Sequence, residues 1–339
     1  IIQNKIDERK KELPTQKYKQ LFPNIHSFVK VSCKNGYEDT ITALIREVKS
    51  AIKELPQIGD ELPKSWVDIR KEIESLSKAA IDHISFQEYV NLCFKYDLNE
   101  LQALLSSQYY NDLGIIVHHQ EDLILRNTVI INPDWVVDGV YRVLDTEEVQ
   151  KKRGKFTDSD LLEIWQGKEY KNKRPELLQL MKNYELCFEF GNSKTYITPE
   201  LLPPDPPHYK AFREDDKIFH FQYHYEFMPS GIITRFIVRT HQYTNDNNFW
   251  RYGVVLQHED SFAEIIEDDI NRKIRIKISG KAKKELLGII RVEFKAIHNS
   301  FHGLNFQEMV AIEESGKYFR SYAELVVYAD MNKSVFVPE

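Results

Sequence analysis

The chain has 339 residues, 42% of them hydrophobic and 29% charged, with a formal net charge of −6. It is long enough for two or three domains, and the charge argues against a broad basic surface for nucleic acid or anionic lipid. Three scattered cysteines, Cys33, Cys93 and Cys187, exclude a disulfide framework, and no apolar run approaches the roughly 18 residues of a membrane span, so a cytoplasmic protein with reduced thiols is expected.

Ile1-Ile2 reads as the tail of a strand whose beginning is missing, running into the polar loop Asn4-Lys5-Ile6-Asp7. The charged stretch Asp7–Lys19 is expected to be helical, Phe28–Val31 a strand, and Glu38–Leu55 a helix with Ile41, Leu44, Ile45, Val48 and Ile52 on one face and Asp39 or Thr40 as its N-cap. Strand, loop and helix in this order close an α/β unit over residues 1–55. Pro56–Pro63 marks a boundary. Beyond it, helices are expected around Trp66–Leu76, from the capping-box pair Ser85/Glu88, and up to Gly114, followed by a hairpin of "IIVHH" and "TVIINP". Helix, helix, helix, hairpin is the order of a winged-helix unit, and a looser copy follows the basic loop Lys151–Lys155, ending in a hairpin at Gly191-Asn192. The proline-rich segment Leu202–Tyr209 is a second linker. From residue 204 onward strands prevail, with helices begun at Pro229, within Lys281–His298 and from Ser321 to Ala329.

Asn4-Lys5-Ile6-Asp7 is an N-K-x-D, which chance alone supplies in roughly one chain in twenty-five of this length. Ser32-Cys33-Lys34 follows it at the end of the next predicted strand, just before an amphipathic helix. The two motifs in this order and setting carry more than either alone. In GTP-binding proteins such an Asp accepts two N–H bonds from guanine, the Lys stem covers the ring, and the second loop supplies a backbone N–H and holds the Asp. Candidate guanine-binding residues are therefore Asn4, Lys5, Asp7, Ser32, Cys33 and Lys34. No G-x-x-x-x-G-K-[ST] and no D-x-x-G occur in the chain. A base-reading edge without a phosphate-binding floor is expected to be the C-terminal part of a longer protein.

With "NDLGIIVHH" leading to "VIINPDWVVDGVYRVL", then "LMKNYELCFE" and "YEFMPSGIITRFIVRTHQY…FWRYGVVLQ", the chain resembles the Roco proteins of prokaryotic type. In these a Ras-like G domain, Roc, is followed by the COR domain, and the resemblance covers essentially the whole chain. It implies an α/β C-terminal fragment of Roc at 1–55, an α, winged-helix-containing COR first half at 56–203, and an α+β second half with an antiparallel sheet at 204–339. It further implies GTP or GDP, with Mg²⁺, bound by the intact protein, a GTPase, but not by this chain alone. Partners would be the Roc domain of the same chain and a second copy joined through the COR second half.

Two other readings compete. Winged-helix DNA binding finds some footing in Lys151–Lys155 and Lys171–Arg174, but the helices that would enter a groove are poor in basic residues. A COR scaffold without any nucleotide role is the other. The histidine pairs His118-His119 and His220/His224 do not have a chelating arrangement, and no metal is expected. Trp250-Arg251-Tyr252, read as the start of a strand after the polar turn "TNDNN", is either ordinary strand packing or an anchor at a subunit contact, where Trp, Tyr and Arg are enriched.

Overall fold

The computed structural model describes residues 1–8, 12–56, 58–59, 61–191, 193–209, 212–213 and 216–336, with the backbone alone at 245–247. Two compact units divide it, Ile1–Asp68 and Ile69–Glu339. In the first, β1 (Ile2–Gln3) and β2 (Val29–Lys30) pair in parallel, Ile2 opposite Val29. Residues 9–11 of the helix expected over Asp7–Lys19 lie outside the described residues, and α1 is Thr15–Leu21. α2 (Glu38–Lys53) carries its apolar stripe as expected, yet none of its residues is buried. Ile45, Val48 and Ile52 are each 44–49% exposed.

α3 (Lys64–Lys78) spans the division. In the second unit come β3 (His83–Ser85), α4 (Phe86–Phe94), α5 (Glu100–Asp112) and β4 (Thr128–Ile130). Both helices begin with complete capping boxes, Ser85 with Glu88 and Asn99 with Gln102. The hairpin expected from Ile115–His119 and Thr128–Ile131 shrinks to one bridge, Val117 to Ile130. β4 pairs instead with β3, Ile84 opposite Val129. The cause is His118. Its N–H bonds Asn111 Oδ1, and its ring is held between Ser107 Oγ (3.0 Å) and the Arg126 carbonyl (2.9 Å), tying the segment to α5.

α6 (Pro133–Asp145), α7 (Glu147–Lys151), β5 (Lys155–Thr157), α8 (Asp158–Ile164), α9 (Arg174–Asn183), β6 (Phe188–Glu189) and β7 (Thr195–Ile197) follow, then a 3-10 turn at Pro199–Leu201. Of the stretch Lys151–Lys155, expected as a loop, residues 152–154 form a turn between the end of α7 and the start of β5. Gly154 turns it at φ +78°, where a Cβ would lie 2.5 Å from the Thr198 carbonyl. β5 joins the hairpin of β6 and β7 in the order β5-β7-β6, so strand, two helices and returning strand occur twice in this half. Asn192, expected in the turn with Gly191, lies outside the described residues. Trp135, Val143, Trp165 and Leu177 fill the core, and the Trp165 indole donates to the Gly139 carbonyl at 2.9 Å.

The remainder is β8 (Phe219–Tyr225), α10 (Ile232–Thr240), β9 (Thr244–Trp250), β10 (Gly253–His258), β11 (Ser261–Asp268), β12 (Lys273–Ser279), α11 (Lys283–Asn299), β13 (Phe306–Ala311), β14 (Phe319–Ser321) and α12 (Tyr322–Asp330). Seven strands form one antiparallel sheet, ordered β14-β13-β8-β12-β11-β10-β9. Alternation sends Phe221, Tyr223 and Tyr225 of β8 and Ile274, Ile276 and Ile278 of β12 inward. They meet α10 and α11, whose Phe236 and Phe294 stack with ring centroids 4.2 Å apart. Gly231, at φ +86°, sets the start of α10 after the expected Pro229. "TNDNN" belongs to β9 and is not a turn; the turn is Arg251-Tyr252.

Glu185, just after α9, adopts φ +57°, a conformation that favours glycine. Its carboxylate accepts from Arg235 Nε at 2.5 Å and Arg239 Nη1 at 2.6 Å, and Arg239 Nε donates to Glu293 of α11 at 2.6 Å. The network ties the first half of this unit to α10 and α11. Glu185→Ala is expected to lower the unfolding free energy by about 1–2 kcal/mol. Glu185→Gly should lose roughly 0.5–1 kcal/mol less, because it relieves the backbone. Denaturant titration of both variants checks this, and equal losses would show that residue 185 is unstrained.

Candidate functional site

The parallel pairing of β1 and β2 brings the loops that follow them side by side. The Val31 amide donates to the Gln3 carbonyl at 2.8 Å, and the Ile6 amide to the Val31 carbonyl at 3.3 Å. Asn4 Oδ1 accepts from the Lys5 amide at 2.7 Å, and Lys5 itself sits at φ +59°. A lysine in the left-handed region costs of order 1 kcal/mol, so the turn that lifts Asp7 is imposed by its surroundings.

Asp7 and Ser32 meet directly: Ser32 Oγ donates to Asp7 Oδ1 at 2.5 Å. Lys34 Nζ lies 3.8 Å from Asp7 Oδ2, and the Lys34 amide donates to Ser32 Oγ at 3.1 Å. The Ser32 hydroxyl bond, with lesser help from Lys34 and Lys5, holds the Asp7 carboxyl below its ordinary pKa. Ser32 is buried and Cys33 is exposed; among the described residues no acceptor takes the Cys33 amide. The expected cap of α2 plays another part here. Thr40 Oγ1 accepts from the Ser32 amide at 3.2 Å and donates to the Tyr37 carbonyl at 2.6 Å, while Glu38 accepts from the Gly36 amide at 3.0 Å. Thr40 and Glu38 are supports that motif matching alone passes over. The only signal for them is a threonine and an acid in the first turn after the loop.

Chemically the arrangement offers an ionised carboxylate with one edge fixed by a hydroxyl, an open amide, and two lysine stems close by. Lone pairs remaining on Asp7 and the Cys33 N–H are complementary to a base that donates two N–H bonds and accepts one.

The three subunit-contact candidates, Trp250, Arg251 and Tyr252, separate. The Trp250 ring is buried and stacks on Tyr209 at 5.7 Å. A Cβ on Gly253, its cross-strand partner, would come within 2.3 Å of that ring. Trp250 is thus covered within the chain. The Arg251 amide donates to the Pro203 carbonyl at 2.9 Å, its Nε is buried without a partner among the described residues, and Tyr252 is 41% exposed at the turn.

Basic side chains of the two cationic stretches are largely engaged internally. Lys151 pairs with Glu147 and Lys152 with Asp160, both at 2.8 Å. Lys173 pairs with Glu176 at 2.8 Å, and Arg174 Nε donates to the Trp165 carbonyl at 3.0 Å. Among the described residues no cluster of three or more His, Cys, Asp or Glu is suited to a metal, and no helix is long and apolar enough to cross a membrane.

Two family models match the chain: "C-terminal of Roc, COR-A domain" over residues 63–202 and "C-terminal of Roc, COR-B domain" over residues 216–339. The chain belongs to the Roco family. It is the Roc-COR portion of such a protein, with COR-A and COR-B in the order the family name implies. Similar Roco relatives include a Roc-COR-CHAT protease of Runella zeae, 26% identical over 292 residues that make up 83% of this chain and 30% of that protein. A probable serine/threonine-protein kinase, pats1, of Dictyostelium discoideum is 23% identical over 290 residues, 80% of this chain and 9% of that one. The chain thus spans under a third of the length of these relatives. A solved Roco2 RocCORdC structure of Methanosarcina barkeri, bound to GDP, is 29% identical, with a TM-score of 0.47 over 59% of this chain and 62% of that one.

Proposed function

We propose that residues 1–55 are the base-reading end of a Roc G domain, that 56–203 and 204–339 are the two halves of COR, and that COR-B joins two copies. The observation that carries the nucleotide half is the 2.5 Å bond from Ser32 to Asp7, which joins residues 25 positions apart in two motifs into one acceptor edge. Asp7 takes the two guanine N–H groups, the Cys33 amide meets the guanine oxygen, and Lys5 and Lys34 flank the ring. The phosphates and Mg²⁺ belong to the rest of the G domain, where GTP would be hydrolysed.

Two further features support a larger α/β domain. Parallel sheets are ordinarily covered on both faces, and β1–β2 has two strands only. The apolar stripe of α2 is likewise uncovered. For the subunit contact, exposed Tyr252 beside Arg251 supports the turn between β9 and β10 as a contributor, with Trp250 as its buried brace.

A single preparation tests both halves. A protein carrying the complete G domain is expected to bind GDP and to scatter light as a dimer. Deleting Pro204–Glu339 should leave GDP binding and yield a monomer. Absence of GDP binding, or a deletion product that stays dimeric, contradicts the proposal.

A further inference from the structure

A cleft of about 740 Å³ opens between α11, β13 and the start of α12, away from the Asp7 loops in sequence and independent of their role. Its volume lies in the range of small-molecule sites. Phe306 and Tyr322 form apolar walls, and Gly288 leaves the helix side open, since a Cβ there would meet nothing within 4 Å.

The polar groups inside are arranged unevenly. Glu308 is fully engaged by Arg291, at 2.7 and 3.1 Å, and Arg291 also lies 4.6 Å from the centre of the Tyr322 ring. The cleft's one acid is therefore neutralised. Lys295, on the same wall, has no acidic partner among the described residues. His298 is only 4% exposed and packs on Phe306, centroids 4.0 Å apart with the ring planes tilted by 38°. Its Nε2 meets the buried Tyr225 hydroxyl at 2.8 Å, and its Nδ1 has no partner among the described residues.

Burial pushes the His298 ring down to about 4, so it is neutral at pH 7. The Tyr225 proton has no other acceptor among the described residues, so the hydroxyl donates to Nε2 and the ring proton sits on Nδ1. A nearly buried N–H and an unpaired ammonium thus share a cleft with aromatic walls.

We propose that this cleft binds a small amphipathic anion, an aromatic carboxylate or sulfonate, received by His298 Nδ1–H and Lys295 with its ring against Phe306 and Tyr322. Anilinonaphthalene sulfonate is the probe, followed by its fluorescence in a titration of the purified protein. One saturable site is expected. Lys295→Glu should weaken it about tenfold, and phenylnaphthylamine, the same body without the sulfonate, should bind about tenfold more weakly. Val292→Trp, at a rim position 64% exposed and so tolerant of change, should fill the cleft and abolish binding. Equal binding by the native protein and both variants overturns the proposal. So does a native dimer that binds no probe and that Val292→Trp converts to a monomer, since the cleft would then be a subunit contact.

Discussion

Asp7→Asn, in a protein carrying the complete G domain, is expected to reverse base preference from guanine to xanthine. Guanine offers a ring N–H and an exocyclic amine, both donors, and a carboxylate accepts both. An amide in its place sets an NH₂ group against one of those donors, whereas xanthine carries a carbonyl there that accepts it. A site built around hydrogen bonds rejects a mismatched partner strongly, so GTP should lose at least roughly a hundredfold relative to xanthosine triphosphate. The Ser32 hydroxyl, which bonds the Asp7 carboxylate in the native chain, can still donate to the carbonyl oxygen of the substituted side chain, and this keeps the loop in place. Competition of both triphosphates against a fluorescent GDP checks the ratio; unchanged selectivity would remove Asp7 from the site.

A second large effect is expected at Glu267, where the two COR halves meet. Glu267 ends the inward face of β11, accepts from the Ile233 amide in the first turn of α10, and has Glu200 of the 3-10 turn and Asp269 as acidic neighbours. Its Oε2 is buried without a partner among the described residues. Burial, reinforced by these two acids, raises its carboxyl to about 7. The folded state therefore holds the proton more tightly than the unfolded one. The resulting stability is complete below the unfolded value near 4.5 and is lost as pH rises through 7. Glu267→Gln keeps an acceptor for Ile233 and cannot ionise. Unfolding free energies of the two proteins should agree near pH 4, with the variant more stable by up to about 2 kcal/mol at pH 8. Parallel profiles across this range would show that Glu267 stays solvated.

Long periodic elements were legible in the chain. α11 follows from Leu286, Ile290, Phe294 and Ile297, all fully buried, and α4 from its capping box. What escaped depends on distant partners. β3 is three residues long and exists because β4 lies beside it, and β13, second from the sheet edge between β14 and β8, is only partly buried. "TNDNN" reads as a turn by composition, yet pairing with β10 draws it into an edge strand, and the true turn, Arg251-Tyr252, has no turn residues to announce it. Of the candidate site, Asp7, Ser32 and Lys34 were nameable from spacing, but the Thr40 support and the covering of Trp250 by Tyr209 required the fold.

The claim that Asp7 and the Ser32–Lys34 turn face one purine edge is tested most directly at Cys33. Cys33 is exposed, whereas Cys93 and Cys187 are buried, and burial raises both of those thiols, Cys187 to about 12. N-ethylmaleimide should therefore react with Cys33 alone in the native protein. With the complete G domain present, GDP at about ten times its Kd should slow that reaction roughly tenfold, and ATP should not. GDP that binds while leaving the Cys33 rate unchanged would contradict the account.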